Sequence, residues 1–530
     1  MYVYAAASDT ESVEKYFPTR NSVYLLIFPM YKNNEKCTSQ AMNHLKKRSP
    51  LKLTLTITVL AVAFGTNVGI YNVPVVNNLK QVIVDHINQT RPMKWLFGDI
   101  RNASRLNAPN IFALFVGSFT AGSAGGTLLS PALAENFGRK PGLLISAVLN
   151  AIGCLMCFFY LHCFELVFIG RLLMGFSLGI GMPMASAFIT EISPVNRRGQ
   201  LNALLQTAFA VGDIIGMVAS TPQLLGSLSL SPYALSLTII FSAIQFVVMC
   251  YAYESPRFLI LKQNQIDAGI EALKYFQGYS FFVFLVDCRI HRFDVLSDEN
   301  YCEKILRDIR AEKKVSDQIN SVDQRAVYGN CCLYCREKPL RLACLLLGNC
   351  PLVGIPLVMT YSTDAYLSNH VLPRSAQWCT VALGVGNLGS SLLAVGLMDS
   401  WGRRPLLVAG LVGCFSSITV YTVVSWILTH NPAISSDYAY ILVVCLLVFI
   451  VFYSLYGAAA ATLAAEICPQ TYRSTALSLG VFSNMFLSTV LLLIYEPIKE
   501  YVGHPWVFFP SSVVSILIGA YLWAMVPETK

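Results

Sequence analysis

Two charged patterns occur twice in this chain. Glu191, Pro194 and Arg198 spell E-x-x-P-x-x-x-R, and Glu466, Pro469 and Arg473 repeat it with the same internal spacing. Glu135 ahead of Gly138-Arg139-Lys140 is echoed by Asp399 ahead of Gly402-Arg403-Arg404. Carboxylates and guanidiniums in such sets can make and break ion pairs. They include no nucleophile and no metal-ligand spacing. No phosphate-cradling glycine loop and no catalytic triad signature accompanies them, so the chain reads as no enzyme, with no cofactor or metal. One more group could do chemistry. Asp213 is the single carboxylate that reads as well inside an apolar run. It can accept hydrogen bonds, bind a cation or take up a proton. Gln206 lies one heptad before it and so on the same helix face. Polar groups at that depth are expensive in lipid and usually face a cavity.

The elements that position these residues are apolar. Hydrophobic residues make up 55% of the chain and charged residues 13%, about half the charge of a soluble domain. Twelve apolar runs are each long enough to cross a bilayer as a helix: 53–75, 110–134, 142–161, 166–189, 199–221, 232–253, 341–363, 376–398, 405–428, 438–462, 474–496 and 506–526. In lipid only helices or closed barrels satisfy their own backbone, and these runs are too long for barrel strands. The expected fold is an all-α membrane protein of twelve transmembrane helices in two pseudo-symmetric six-helix bundles. Residues 1–50 read as a polar, disordered cytosolic tail, 51–253 as the first bundle, 254–340 as a cytosolic linker with short helices, and 341–530 as the second bundle. Charged punctuation written twice between apolar runs is the mark of such a duplication.

The net charge of +8 would suit a nucleic-acid partner. The basic residues sit mostly at helix ends and in one loop, however, so they read as topology signals and the partner as the lipid bilayer. Arg139, Lys140, Arg197, Arg198, Arg403, Arg404 and Arg473 fall on one side, against Arg374 and Lys499 in the short loops opposite. That bias places both termini in the cytosol. The loop after the first run carries Lys80 and other basic residues against the rule. It also holds two glycosylation sequons, at Asn88 and Asn102, which belong outside the cytosol and favour the plasma membrane. Within the linker, 299–316 reads as a short helix. Tyr279–Phe293 fits badly there, either as a surface segment or as a gene-model error. The apolar stretch Tyr24–Tyr31 is too short to span. The C-C-x-x-C group at Cys331, Cys332 and Cys335 lacks a fourth zinc ligand and reads as free thiols.

Several further motifs fall in order along 53–530: FGTNVGIYN, ENFGRK, GRLLMG, EISPVNRRG, YESPRFL, DSWGRR, ICPQTYRS and the terminal VPETK. In them the chain resembles the sugar porters of the major facilitator superfamily, most closely the animal facilitative glucose transporters. The resemblance implies two six-helix halves that rock about a central cavity holding a small solute, a monosaccharide. It also implies that Gln206, Asn387 and Asn484 hydrogen-bond sugar hydroxyls. Amides suit that task because they donate and accept without charge. A helix–helix hydrogen bond is the alternative role for each amide. The charged motifs (Glu135, Arg139, Glu191, Arg198, Glu254, Arg257, Asp399, Arg403, Arg404, Glu466, Arg473) would form a cytosolic clamp between the halves. Fixing topology is their alternative role.

The departures from the family pattern bear on the solute. Where the glucose transporters carry a paired-glutamine motif and a Gly-Ile-Asn, this chain has Cys350-Pro351-Leu352-Val353-Gly354-Ile355-Pro356. Gly457-Ala458-Ala459-Ala460-Ala461 replaces a proline-rich segment ending in Trp, and Met485 stands for another Trp. Asn67 occupies the place of the carboxylate in proton-coupled members, and an amide cannot titrate. Three readings stay open: a facilitative uniporter for a hexose-like sugar, a proton- or cation-coupled symporter using Asp213, and a non-transporting sensor.

Overall fold

The computed structural model describes residues 53–71, 74–90, 108–194, 198–277, 338–430, 436–467 and 473–525. The segments 24–31, 279–293 and 299–316, the Cys331–Cys335 cluster and Asn102 lie outside them. The described elements are all helical. The first half comprises α1 (Leu53–Tyr71), α2 (Pro74–Thr90), α3 (Ala108–Asn136), α4 (Arg139–Phe158), α5 (Glu165–Ile192), α6 (Arg198–Ala219), α7 (Ser231–Ser236) and α8 (Ile239–Tyr251). Two short linker helices follow, α9 (Pro256–Leu261) and α10 (Ile266–Gln277). The second half comprises α11 (Lys338–Gly348), α12 (Ile355–Ser368), α13 (Pro373–Trp401), α14 (Arg403–His430), α15 (Tyr440–Ile467), α16 (Arg473–Val502) and α17 (Phe509–Met525). Nine described segments are long and apolar enough to span a bilayer. With α1, α6 and α13 they make the twelve spans expected.

The two halves pack alike. In the first, α5 lies against both α3 and α4; in the second, α15 lies against both α13 and α14. The α3–α4 and α13–α14 hand-overs are tight turns, Phe137-Gly138 in the first and Gly402 alone in the second. Gly138 has φ +99° and Gly402 has φ +87°, a backbone region that an L side chain resists. The duplicated G-R-[KR] pattern is therefore a turn signal as well as a charge signal. Across the halves, α3 packs on α16 and α6 on α13.

Close helix contact in lipid needs small residues. Gly122 and Gly126 of α3 face the backbone of Leu172 and Phe176, and Gly175 and Gly179 of α5 face Phe119 and Ser123. A Cβ at Gly175 would lie 2.0 Å from the Phe119 carbonyl oxygen.

Three elements depart from the sequence expectation. The first apolar run is followed directly by α2, so Lys80 and Asn88 lie on a helix and not in an open loop. The sixth run breaks into α7 and α8. The seventh breaks at a 3-10 turn, Cys350–Val353, after which Gly354 adopts φ +111°. Pro351 and Pro356 supply no N–H to a continuous ladder, and Gly354 absorbs the change of direction.

Gly175→Val is expected to wedge α5 off α3 and destabilise the bundle by about 3 kcal/mol, the upper end of overpacking costs. Gly389→Ala, in α13 with open space around its Cβ position, should be neutral or stabilising by up to about 1 kcal/mol. Thermal unfolding of the purified protein in detergent checks both. Equal behaviour of the two variants contradicts the close α3–α5 crossing.

Candidate functional site

Midway along the bundle a polar seam joins the halves. Asp213, on α6, is 5% exposed. The Asn387 amide on α13 donates to its Oδ2 at 2.9 Å. Ser454 of α15 donates to Asn387 Oδ1 at 3.3 Å, and the Ser454 and Ser390 hydroxyls are 2.8 Å apart. Gly384, one turn before Asn387, lets α13 approach α6: a Cβ there would meet Met217 Sδ at 2.9 Å. Two of the four expected solute-site residues are thus hydrogen-bonded to each other across the halves. Among the described residues Asp213 has no ion-pair partner. Asn484 donates to the Leu347 carbonyl at 3.0 Å, a bond from α16 to α11 within the second half. Gln206 and Asn67 lie on α6 and α1, with their side chains outside the described residues.

At the end of the bundle that holds the Gly138 turn, three of the charged residues meet. Arg139 Nη2 pairs with Glu191 Oε1 at 2.9 Å. The second Glu191 oxygen accepts from the Ser255 hydroxyl. Glu254 accepts the backbone N–H groups of Arg139 and Lys140 at 3.1 Å and of Ser255 at 2.8 Å. It therefore sits on the N-terminus of α4, where free N–H groups and the helix dipole favour an anion. Burial pushes the Glu254 carboxyl up, against these backbone donors and the nearby Arg139 charge. All three members of this described network belong to the first half and its linker. Glu135 is exposed and forms no ion pair among the described residues. Arg404 of the second half donates to the Trp523 carbonyl at 2.6 Å and lies over that indole at 4.7 Å. Arg257 and Arg403 also engage neighbours. The side chains of Arg198, Asp399, Glu466 and Arg473 lie outside the described residues.

The opposite end carries a cluster the sequence reading missed. Lys80 of α2 pairs with Glu496 at 2.5 Å and Asp364 at 3.0 Å, and Lys499 pairs with Asp364 at 2.5 Å. The Tyr361 and Tyr495 rings stack beside it at 3.8 Å. Asp213 is therefore not the sole carboxylate buried in the bundle, since Glu496 is 6% exposed. Lys80 and Lys499 read as loop charges because they lie outside the apolar runs 53–75 and 474–496, and Asp364 and Glu496 fall at the edges of theirs. The available signal was their position, one helix turn or less from a run boundary, with Asp364 three residues after Tyr361 and Glu496 next to Tyr495.

A helical bundle whose two halves meet along a polar seam, with charge clusters at both ends, defines a multi-pass membrane transporter of the major facilitator fold. The chain belongs to the sugar (and other) transporter family, whose model matches residues 53–530. It is similar to the human solute carrier family 2, facilitated glucose transporter member 4, at 27% identity, covering 90% of this chain and 88% of that one. It is 26% identical to the human member 5, with 91% of each chain covered. Among solved structures it resembles the proton:xylose symporter XylE bound to 6-bromo-6-deoxy-D-glucose (TM-score 0.69, 18% identity, 91% and 98% covered). A partially occluded inward-open form of XylE from E. coli matches with a TM-score of 0.66 at 17% identity, covering 89% of this chain and 100% of that one.

Because burial raises the Glu254 carboxyl, the folded state holds that proton more tightly than the unfolded chain. Its contribution to stability is greatest below the ordinary glutamate range and falls as pH rises through the shifted value. Glu254→Gln should flatten the dependence of melting temperature on pH in the window just above ordinary glutamate titration. An unchanged slope would place the Glu254 side chain in water.

Proposed function

We propose that this protein moves a hexose-like sugar across a membrane by alternating access, as a facilitative uniporter. The observation that carries this reading is the Asn387–Asp213 hydrogen bond between α13 and α6 at mid-bundle. A hydroxyl-rich solute can replace that bond group for group, since Asn387 donates and accepts while Asp213 accepts. Gln206, on the same helix as Asp213, and Asn484, five residues before the Thr489–Thr120 contact between the halves, complete the solute-facing set, Asn484 exchanging its bond to the Leu347 carbonyl for one to solute. Residues 51–253 and 341–530 are the two rocking halves, joined by the 254–340 linker.

The charged residues act at the cytosolic boundary, where the termini also lie. Glu191 and Arg139 hold the first half's end together, and the repeated motif assigns the same task to Glu466, Arg473, Asp399 and Arg403 in the second. Contacts between these sets clamp the halves in the outward-open state and part as they rock. Glycans on Asn88 and Asn102 would then be extracellular, consistent with the plasma membrane; Asn88 is exposed on α2.

Proton- or cation-coupled transport is the second reading. It rests on a specific feature: Asp213 is a buried carboxylate with an amide partner and, among the described residues, no cation. Such a group must be protonated, hydrated or matched by a bound cation for burial to be tolerable.

Uptake of a sugar panel into vesicles containing the purified protein tests both. For uniport, saturable flux should ignore an imposed proton gradient. Gln206→Ala and Asn387→Ala should each raise the half-saturation concentration about fivefold, the equivalent of about 1 kcal/mol per neutral hydrogen bond. Flux that rises with the gradient, and loses that response in Asp213→Asn, would replace uniport by coupling. Retained binding with no flux of any panel member would contradict transport.

A further inference from the structure

The end of the bundle opposite Gly138 holds a set of bonds that neither the family motifs nor the solute site uses. Asn77 and Asn78 are 2% and 6% exposed on α2, one turn before Lys80. The Asn77 amide donates to the Met359 carbonyl at 2.9 Å and to Ser362 Oγ at 2.8 Å, and its oxygen accepts the Thr363 N–H at 3.1 Å. Met359 and Thr363 are four residues apart on α12, the carbonyl and N–H that a helix would pair with each other. One asparagine of the first half therefore brackets a rung of a helix in the second. Asn78 accepts from the Thr363 hydroxyl at 2.8 Å and donates to the Met217 carbonyl of α6 at 2.9 Å.

Lys80 completes this seam with charge. Its ammonium reaches Glu496 and Asp364 and lies 5.1 Å from the Tyr361 ring centroid and 5.8 Å from that of Phe112. The three other charged members, Asp364, Glu496 and Lys499, all belong to the second half, and together they carry one net negative charge. Lys80 cancels it from across the boundary. A neutral cluster can be withdrawn from water; the same cluster lacking one partner cannot be withdrawn without a large penalty. Because Lys499 pairs with Asp364, loss of Lys80 leaves Glu496 without a cation at hydrogen-bond distance among the described residues.

We propose that Lys80 is a gating residue of the transport cycle: with Asn77 and Asn78 it latches α2 to α12 and α16, and this latch must open for the solute to pass at this end of the bundle. The inference rests on the alternating-access reading, but its test needs no sugar. Separation along the α2–α12 line exposes Lys80 and the second half's triad to water together, so both sides of the broken latch are solvated at once. The break at Cys350–Gly354 lets α12 move apart from α11, because no continuous backbone ladder joins them.

The reporter is Leu493→Cys, on α16, whose side chain packs against Gly117 of α3 across the halves. Labelling of that cysteine by a membrane-impermeant maleimide, read by peptide mass spectrometry on the full chain in vesicles, measures opening at this end. Lys80→Met and Lys80→Glu should accelerate labelling at least tenfold, a shift of about 1.4 kcal/mol in the open–closed balance. Lys80→Arg should leave it within about twofold, the charge being kept. Lys80→Glu combined with Glu496→Lys restores opposite charges across the boundary and should return labelling toward the parent rate. Unchanged labelling in Lys80→Met, or a double variant that labels as fast as Lys80→Glu, overturns the latch. If the single variants fail to fold, the double variant decides: folded and slow-labelling supports the latch, unfolded refutes the pairing. Slow labelling alongside absent sugar flux would refute the transport reading while leaving the latch intact.

Discussion

In hydrocarbon, one apolar helix face gains little by exchanging lipid for another apolar face. What holds this bundle in a particular arrangement is therefore close backbone packing within each half and polar bonds between the halves. The first is met by the glycine-lined crossing of α3 and α5, where backbone meets backbone at Gly122, Gly126, Gly175 and Gly179. The second is met at two levels: the Asn387–Asp213–Ser454 seam at mid-bundle and the Asn77–Asn78–Lys80 seam at one end. The glycine-lined contacts within a half are backbone to backbone and close-fitting. Cross-half contacts add to the α3–α16 and α6–α13 packing a set of hydrogen bonds and ion pairs that water or solute can replace. That division is what a machine of two rigid halves requires.

The charged motifs acquire a second meaning in this light. Glu254 was expected among the gate charges. In the structure it accepts three backbone N–H groups at and beside the start of α4, and a Cβ on Gly138 would lie 2.5 Å from its oxygen. Glycine, arginine and glutamate at that turn form one local unit: the glycine opens the space, the helix terminus supplies the donors, and Arg139 ties the unit to Glu191. The motif is a structural brace for one half before it is anything else. The duplication writes the same motif into the second half at Asp399, Arg403, Glu466 and Arg473, and on the proposed reading the two copies also act as a clamp.

Much of this was legible from residue patterns. Twelve runs of suitable length, two copies of each charged motif and the ordered family signatures fixed the architecture, because span length and backbone satisfaction leave few alternatives. Asp213 and Asn387 were picked out separately and proved to be bonded. Three things escaped the pattern. Helix continuity past the first run was hidden because Asn77, Asn78 and Lys80 make α2 polar where it meets other protein. The outer cluster was hidden because Asp364 and Glu496 sit at run edges, where a charge ordinarily marks the membrane boundary. The breaks in the sixth and seventh spans were hidden because apolarity alone does not record a change of axis. Each miss has one cause: hydropathy reports the average surroundings of a segment, and these residues depend on one specific neighbour.

The family resemblance implied a proline-rich segment in the tenth span and glutamines in the seventh. Here the pattern is exchanged. Gly457 and four alanines carry α15 unbroken over 28 residues, and the break appears at Cys350–Gly354 in the seventh span. Cys350 and its neighbours make bonds to their own half: Cys350 Sγ and the Tyr456 hydroxyl both reach the Leu346 carbonyl, and Asn484 reaches that of Leu347. These three bonds help hold α11 in place within its own half. In the proposed site the described groups of α6 and α13 are Asp213 and Asn387, bonded to each other, with Ser390 and Ser454 behind them. That set accepts more hydrogen bonds than it donates. A solute matched to it presents its hydroxyl hydrogens, or a positive charge, toward Asp213, and this constraint falls on the solute's chemistry more sharply than on its size.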